Sequence, residues 1–271
     1  MKSLFLILLL SFPHISYGAE NDNLKLLSTT STRDSGFLEY MLPKFEKKYN
    51  IKVHVIALGT GQALHAAKNC NGDILLTHAP QLEKEFIKNG YGISRDNLMH
   101  NDFVIIGPKN DPANIQMLTK ASEVFKRISE TSTLFISRGD DSGTNISENS
   151  IWKKANINPN QYSGTWYLES GQGMGATLNI AIGMNSYTYS DRATWLKFKN
   201  KNKHTILFEG DSAMFNQYAL IKINPQKCRN LNINNINYFY SWIISPEGKL
   251  LISNYIVNGV QLFTPNYIND K

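Results

Sequence analysis

The feature that most constrains the fold of this chain is a repeated unit. A short apolar run is followed by a turn rich in hydroxyl residues or glycine, and then by a helical pattern. Residues 51–58 alternate as a strand before such a turn, and residues 73–77 form a short buried-type strand before a helical stretch at 81–88. Residues 134–137 and 184–191 repeat the pattern. Repeated strand–helix units predict an α/β architecture, in which ligands bind at the carboxyl ends of strands.

The turn after the strand at 134–137 carries a lone arginine, Arg138. Glycine, aspartate and serine residues lead from it to Gly143 and Thr144, where a helix can begin. Free backbone N–H groups at a helix start, beside a guanidinium and hydroxyls, suit an anion with several oxygens. Taken alone, the turn is more typical of a capped strand–helix junction with a surface arginine than of an anion site.

Two further segments place hydroxyl residues between a strand and a helix. Residues 28–32 are five consecutive serines and threonines before a helical pattern at 37–45, and Thr60 lies between two glycines after the strand at 51–58. Such residues favour helix caps, so capping without a ligand is the alternative at each place. The glycines do not have the spacing of a nucleotide-binding loop.

Two further apolar strands are predicted near the middle and in the late part of the chain, at 101–108 and 216–225. Strands at these places could cross between two lobes. The first lobe would then contain residues from both ends of the chain.

The composition is that of a soluble globular protein, with 42% hydrophobic and 18% charged residues among 271. The net charge of +6 is scattered, so we do not expect nucleic-acid binding. At the N-terminus, Lys2 precedes an apolar run at 4–10, and small residues follow at 16–18. We interpret residues 1–18 as a cleaved export signal, because the run is shorter than the ~20 residues that span a bilayer. No cysteine lies near the cleavage point, so we expect a protein free in the periplasm.

The two cysteines, Cys70 and Cys228, would meet oxidising conditions there. The sequence leaves a disulfide and two separate thiols as equal alternatives. Neither cysteine belongs to a CxxC motif or a cluster with metal-ligand spacing, so a bound metal ion or redox catalysis is not predicted.

Seven segments in this order resemble the periplasmic tungstate-binding proteins of the TupA type, the solute receptors of ABC importers. They are residues 28–32, 59–64, 72–80, 101–108, 137–144, 169–180 and 189–194. The resemblance extends from about residue 26 to 265, and one departure is Ser28, where the family's first motif tends to begin with threonine. It implies a type II periplasmic binding protein fold, with two α/β lobes joined by two crossing strands. We place lobe 1 at residues 24–104 and 218–271, and lobe 2 at residues 105–217.

The resemblance also implies a site between the lobes. Arg138 would be the charged contact, and hydroxyl or backbone hydrogen bonds would come from Thr30, Ser31, Thr60 and Thr144. Further contacts or supporting residues would be Thr29, Gly61, Asp141, Ser142 and Gly143. Asp140 or Asp141 would orient Arg138 or cap the helix. The implied ligand is tungstate, with molybdate as the alternative. The implied partner is the ABC permease, and we expect a monomer without a cofactor.

Two other functions remain to be compared. One is a receptor for phosphate or another oxyanion. The other is a secreted phosphatase that would use Asp73 with His78, or Asp140 with Asp141, but no nucleophile elbow or metal cluster supports it. For His78, at the end of a strand, we favour a structural role over ligand contact.

Overall fold

The computed structural model describes residues 23–266, and the predicted export signal at 1–18 lies outside them. The strands are β1 (Asn23–Thr29), β2 (Lys52–Leu58), β3 (Ile74–Thr77), β4 (Gly92–Pro108), β5 (Phe135–Ser137), β6 (Tyr167–Glu169), β7 (Tyr187–Asp191), β8 (His204–Phe208), β9 (Phe215–Ile223), β10 (Ile256–Val257), β11 (Val260–Gln261) and β12 (Thr264–Pro265). The helices are α1 (Thr30–Asp34), α2 (Phe37–Tyr49), α3 (Thr60–Lys68), α4 (Pro80–Lys88), α5 (Ala121–Glu130), α6 (Gly143–Lys154), α7 (Met174–Gly183), α8 (Arg192–Lys197), α9 (Ile233–Ile244) and α10 (Pro246–Ser253). Across residues 23–266, every helix is too short or too polar to span a bilayer.

The strands form a mixed sheet in the order β2-β1-β3-β9-β4-β7-β5-β6, with β8 and β12 also paired to β4. On one side, β1 lies parallel to β2 and β3, and on the other β5 lies parallel to β6 and β7. Helices follow most of these strands, as the repeated strand–helix units predict. The α/β architecture is therefore confirmed.

Strand β4 belongs to both halves of the sheet. Its residues from Gly92 to Asp102 pair with β9, whereas Phe103 to Ile106 pair with β7. The predicted strand at 101–108 is the apolar second part of β4. The first part is polar and partly exposed, so hydrophobic patterning does not reveal it. The lobe boundaries at 104/105 and 217/218 stay a prediction.

Both faces of the first half of the sheet are covered by apolar side chains. Leu26 on β1 packs with Phe37 and Met41 of α2, whereas its neighbour Leu27 packs with Leu64 of α3 on the opposite face. Successive side chains of a strand point to opposite faces, so a continuous apolar run indicates a strand buried on both sides. This burial fixes the register of β1 and hence the position of the polar residues that follow it.

The hydroxyl run at 28–32 is not a single turn. Ser28 and Thr29 complete β1, and Thr30 begins the short helix α1. The Ser28 hydroxyl donates to the Leu76 carbonyl at 3.0 Å, and the Thr29 hydroxyl caps the backbone N–H of Thr32. Local side-chain hydrogen bonds of this kind let a polar run leave a buried strand without unpaired groups.

Cys70 and Cys228 form a disulfide, with their Cα atoms 5.4 Å apart. The bridge joins the segment after α3 to the segment after β9, across a sequence separation of 158 residues. Of the two alternatives that the sequence leaves open, the disulfide is the one observed.

Candidate functional site

Arg138 follows β5 directly, and its side chain is only 2% exposed. Its Nη2 donates to Asp140 Oδ2 at 2.5 Å and to Thr30 Oγ1 at 3.5 Å. Its Nε is buried without a hydrogen-bond partner among residues 23–266. A buried guanidinium normally has all of its donors satisfied, so this Nε is a donor that remains available to a ligand.

The backbone around Arg138 is held in a tight turn. Gly139 and Asp141 both adopt the left-handed conformation, with φ of 57° and 54°. A Cβ at Gly139 would lie 2.6 Å from the Cβ of Glu169, so only glycine fits there. The Gly171 N–H donates to the Arg138 carbonyl at 2.9 Å. The loop after β6 therefore holds the backbone of the turn at Arg138.

The N-terminus of α6 follows this turn. Ser142 is the N-cap and accepts from the Asn145 N–H, while Asp140 Oδ1 accepts from the Ser142 N–H at 3.2 Å. Asp140 thus orients Arg138 and supports the helix start together, as one of the two predicted aspartates would. Thr144, in the first turn, is fully buried, and its hydroxyl has no partner within the described part of the chain.

The N-terminus of α3 faces the same turn from the other half of the sheet. A Cβ at Gly59 would lie 3.7 Å from the Asp140 carbonyl oxygen, and one at Gly61 would lie 3.9 Å from that of Asp141. Thr60 is fully buried at the first position of α3, and its hydroxyl also has no partner between residues 23 and 266. Gly61 and Asp141 line a groove of about 370 Å³ between these elements.

The hydroxyl groups of α1 have different neighbours. Thr30 contacts Arg138, whereas Ser31 Oγ lies 3.0 Å from His78 Nε2 and 3.2 Å from Thr29 Oγ1. Thr29 Oγ1 lies 2.6 Å from the hydroxyl of Thr32. The predicted residues of α1, α3 and the Arg138 turn are therefore brought together, but Thr29 and Ser31 are already engaged with the protein.

His78 follows β3 and is buried at the junction of these segments. Its ring stacks on Tyr218, with centroids 4.7 Å apart, and its Nδ1 lies 2.8 Å from Asn216 Oδ1. A Cβ at Gly143 would lie 2.8 Å from His78 Cε1, so glycine permits the close approach of α6. Burial lowers the pKa of His78 to about 4, and the Arg138 charge acts in the same direction. The imidazole is therefore neutral at pH 7.

Glu148 of α6 is a buried acid that was not predicted from the sequence. It accepts hydrogen bonds from the Ser137 hydroxyl at 2.7 Å, from Trp152 Nε1 at 2.9 Å and from the Tyr167 hydroxyl at 3.1 Å. Burial raises its pKa to about 7. Because Ser137 directly precedes Arg138, its hydrogen bond to Glu148 anchors the start of the turn to α6. The sequence signal of this role is the spacing of Glu148, three and four residues before the apolar pair Ile151 and Trp152, which places the three on one face of a helix.

The acid–base pairs considered for an enzyme are not assembled. Asp73 precedes β3 and accepts from the Lys25 N–H, whereas His78 follows that strand, so the two lie at opposite ends of it. Asp140 is paired with Arg138. Within residues 23–266, histidine, cysteine, aspartate and glutamate form no group of three or more that could hold a metal ion.

Comparison with known proteins identifies the family to which this chain belongs. A family model described as a PBP superfamily domain matches residues 18–247. The tungstate-binding protein TupA of Peptoclostridium acidaminophilum is 42% identical over 245 residues, which cover 89% of this chain and 85% of the relative. This chain belongs to the TupA family of the PBP superfamily.

Solved structures agree with the assignment to the TupA family. The structure described as the tungstate ABC transporter from Geobacter sulfurreducens is 44% identical, with a TM-score of 0.79, and the match covers 86% of this chain and 98% of that one. TupA from Desulfovibrio alaskensis G20 is 39% identical, with a TM-score of 0.77, and the match covers 90% and 98%. The expected periplasmic binding protein fold is confirmed. These relatives are named as binding or transport proteins, which confirms the expectation of a binding protein rather than an enzyme.

Proposed function

We propose that this protein captures tungstate at the junction of α1, α3 and the Arg138 turn and delivers it to an ABC importer. The observation that carries the proposal is a set of buried polar atoms without partners in the described chain, namely Arg138 Nε, Thr60 Oγ1 and Thr144 Oγ1. Buried polar groups are almost always paired, and all three can donate to an acceptor. Tungstate is a tetrahedral dianion that only accepts hydrogen bonds. The relatives named for tungstate supply the identity of the anion.

The donors around this junction are mostly neutral. Besides Arg138 and the hydroxyls, the first turns of α3 and α6 present backbone N–H groups that helical geometry leaves free. Such donors replace the hydration shell of the anion without bringing a second full charge. Closing the lobes around the anion excludes water and strengthens each bond. Capture in this form makes and breaks no covalent bond.

The proposal includes the setting in which the protein works. Residues 1–18 direct export and are removed, and the mature chain acts as a monomer in the periplasm. Lobe 1 (residues 24–104 and 218–271) and lobe 2 (residues 105–217) close about β4 and β9. The closed form marks the receptor as loaded for the permease. The passage of β4 through both halves of the sheet supports this division.

Calorimetric titration of the exported protein with tungstate, molybdate and sulfate in turn tests this function. We expect binding of tungstate at micromolar concentrations and weak or no binding of sulfate, which is smaller. Absence of any oxyanion binding at these concentrations would overturn the proposal. Preferential binding of phosphate in a competition experiment would instead favour a phosphate receptor.

The preference for tungstate over molybdate rests on the named relatives alone. The two anions have nearly the same size and charge, so the positions of these donors do not separate them. The molybdate titration is therefore an essential part of the experiment.

A further inference from the structure

A continuous series of hydrogen bonds runs from α1 through His78 to the paired strands β9 and β4. Ser31 Oγ lies 3.0 Å from His78 Nε2, and His78 Nδ1 lies 2.8 Å from Asn216 Oδ1 on β9. Asn216 Nδ2 in turn donates to Asn101 Oδ1 on β4 at 2.7 Å. Ser31, His78 and Asn216 are each no more than 3% exposed, so water does not compete for these bonds.

The amide of Asn216 determines which atoms donate and which accept in this series of hydrogen bonds. Its Nδ2 donates both to Asn101 Oδ1 and to the Tyr218 hydroxyl, so the atom that faces His78 is the carbonyl oxygen, which only accepts. His78 Nδ1 therefore carries the imidazole proton. The ring is neutral: it is buried, and the charged group that acts on it, Arg138, opposes protonation. Its Nε2 then has a lone pair and accepts from the Ser31 hydroxyl.

This direction determines which hydroxyl groups at the start of α1 can donate a hydrogen bond to a ligand. Ser31 has one hydroxyl proton, and it donates this proton in the hydrogen bond to His78 Nε2. Thr29 Oγ1 accepts from the Thr32 N–H at 3.2 Å, and its own proton faces two protein oxygens, Thr32 Oγ1 at 2.6 Å and Ser31 Oγ at 3.2 Å. Neither hydroxyl retains a proton for an acceptor-only dianion. Thr30 differs, because its oxygen accepts from Arg138 Nη2 and its proton stays available.

We propose that His78 is a positioning residue of the oxyanion site. Its Nδ1–H tautomer commits the hydroxyl protons of Ser31 and Thr29 to the protein interior, and it leaves Thr30, Thr60 and Thr144 as the hydroxyl donors to the anion. This inference rests on the proposed function, since it specifies which of the predicted hydroxyls contact the ligand. It gives Ser31 and Thr29 an orienting role in place of direct hydroxyl contact.

The tautomer can be observed directly by long-range ¹H–¹⁵N correlation spectroscopy of the ¹⁵N-labelled exported protein at pH 7. The His78 signals are identified by their loss in His78→Gln. We expect a protonated Nδ1 and an unprotonated Nε2. A protonated Nε2, in either the other neutral tautomer or the imidazolium, overturns the inference. This readout needs no ligand, so it stands even if the protein does not bind tungstate.

Binding of tungstate to hydroxyl-deletion variants provides the second test. Loss of a hydrogen bond to a charged ligand lowers affinity by on the order of ten-fold or more, which we expect for Thr60→Val and Thr144→Val. Ser31→Ala removes a hydroxyl that donates to His78, so its loss of affinity should be several-fold smaller. Equal losses for Ser31→Ala and Thr60→Val contradict the assignment. Failure of the parent protein to bind would instead contradict the proposed function.

The variant His78→Asn tests whether His78 orients the Ser31 hydroxyl, independently of any role of His78 in folding. Asparagine can place an amide near the Nδ1 position and keep the Asn216 partner, but it cannot reach Ser31. The freed Ser31 hydroxyl then has a proton for the anion, so Ser31→Ala should reduce affinity more in the His78→Asn background than in the parent. An identical effect in both backgrounds refutes the orienting role. Thermal unfolding of each variant confirms that a folded protein is being compared.

Discussion

Replacement of Arg138 by alanine is the most direct perturbation of the proposed site. The guanidinium is 2% exposed, its Nε has no partner between residues 23 and 266, and its Nη2 is shared between Asp140 and Thr30. If the anion accepts two charge-assisted N–H bonds from this group, each contributes about 1.5–3 kcal/mol. Their loss corresponds to a dissociation constant raised by roughly 10² to 10⁴.

The partner of Arg138 adds to this effect. In Arg138→Ala the Asp140 carboxylate loses its cation and remains beside the site, where it repels a dianion. Arg138→Lys keeps a positive charge but loses the planar set of donors, so we expect an intermediate affinity. Combining Arg138→Ala with Asp140→Asn should recover a part of the loss, because the repulsion is removed.

The assay is calorimetric titration with tungstate, accompanied by thermal unfolding to confirm that each variant is folded. Arg127→Ala is the matched control, because Arg127 lies on α5, its side chain is 41% exposed and it pairs with Glu130 of the same helix. We expect the control to bind like the parent. A folded Arg138→Ala protein whose affinity lies within a few-fold of the parent would refute the assignment of the site.

Three further predictions concern the groups that support the site. Burial raises the pKa of Glu148 from 4.5 to about 7, so its ionisation opposes folding as the pH rises through that range. Relative to Glu148→Gln, the parent protein should lose roughly 3 kcal/mol of unfolding free energy between pH 4.5 and pH 7. Urea denaturation of both proteins at each pH measures this difference. A flat difference between the two proteins would show that Glu148 does not titrate there. Reduction of the Cys70–Cys228 disulfide should lower the unfolding free energy by about 2–5 kcal/mol, because the bridge closes a long loop, and denaturation with and without reductant measures this. Gly143→Ala should weaken tungstate binding, because the new Cβ would lie 2.8 Å from His78 Cε1, whereas Gly183→Ala, with open space around it, should not.

Much of the fold follows from the sequence because its signals are local. Apolar runs such as those of β2 and β3 end at glycine or hydroxyl residues, and the helical spacing of residues 37–45 predicts α2. The first part of β4 could not be predicted in this way. It is polar and partly exposed, and it is a strand because β9 supplies its hydrogen-bond partners. Tertiary pairing, rather than residue preference, decides such a segment.

The candidate site shows the same limit. Arg138, Thr60 and Thr144 could be selected from the sequence, since each lies where a strand ends and a helix begins. The contacts of the residues that support them could not. A structural role for His78 is predicted from the sequence, but its partner Asn216 is 138 residues away, and only the fold shows that Asn216 faces His78 or that Glu148 lies against Ser137. A sequence therefore identifies donor types at strand ends, whereas the direction of each donor depends on contacts between segments.

The pairing of Arg138 with Asp140 limits how much net positive charge the proposed site can offer a dianion. One guanidinium and one carboxylate together carry no net charge, so the attraction cannot come mainly from excess positive charge at the site. In the proposed site it comes from the orientation of hydrogen-bond donors in a buried region, namely the Arg138 N–H groups, the hydroxyls and the first backbone N–H groups of α3 and α6. Donors of this kind bind strongly only where their directions are fixed before the ligand arrives. The hydrogen bonds of Glu148 with Ser137, of Gly171 with the Arg138 carbonyl and of His78 with Ser31 provide that fixation.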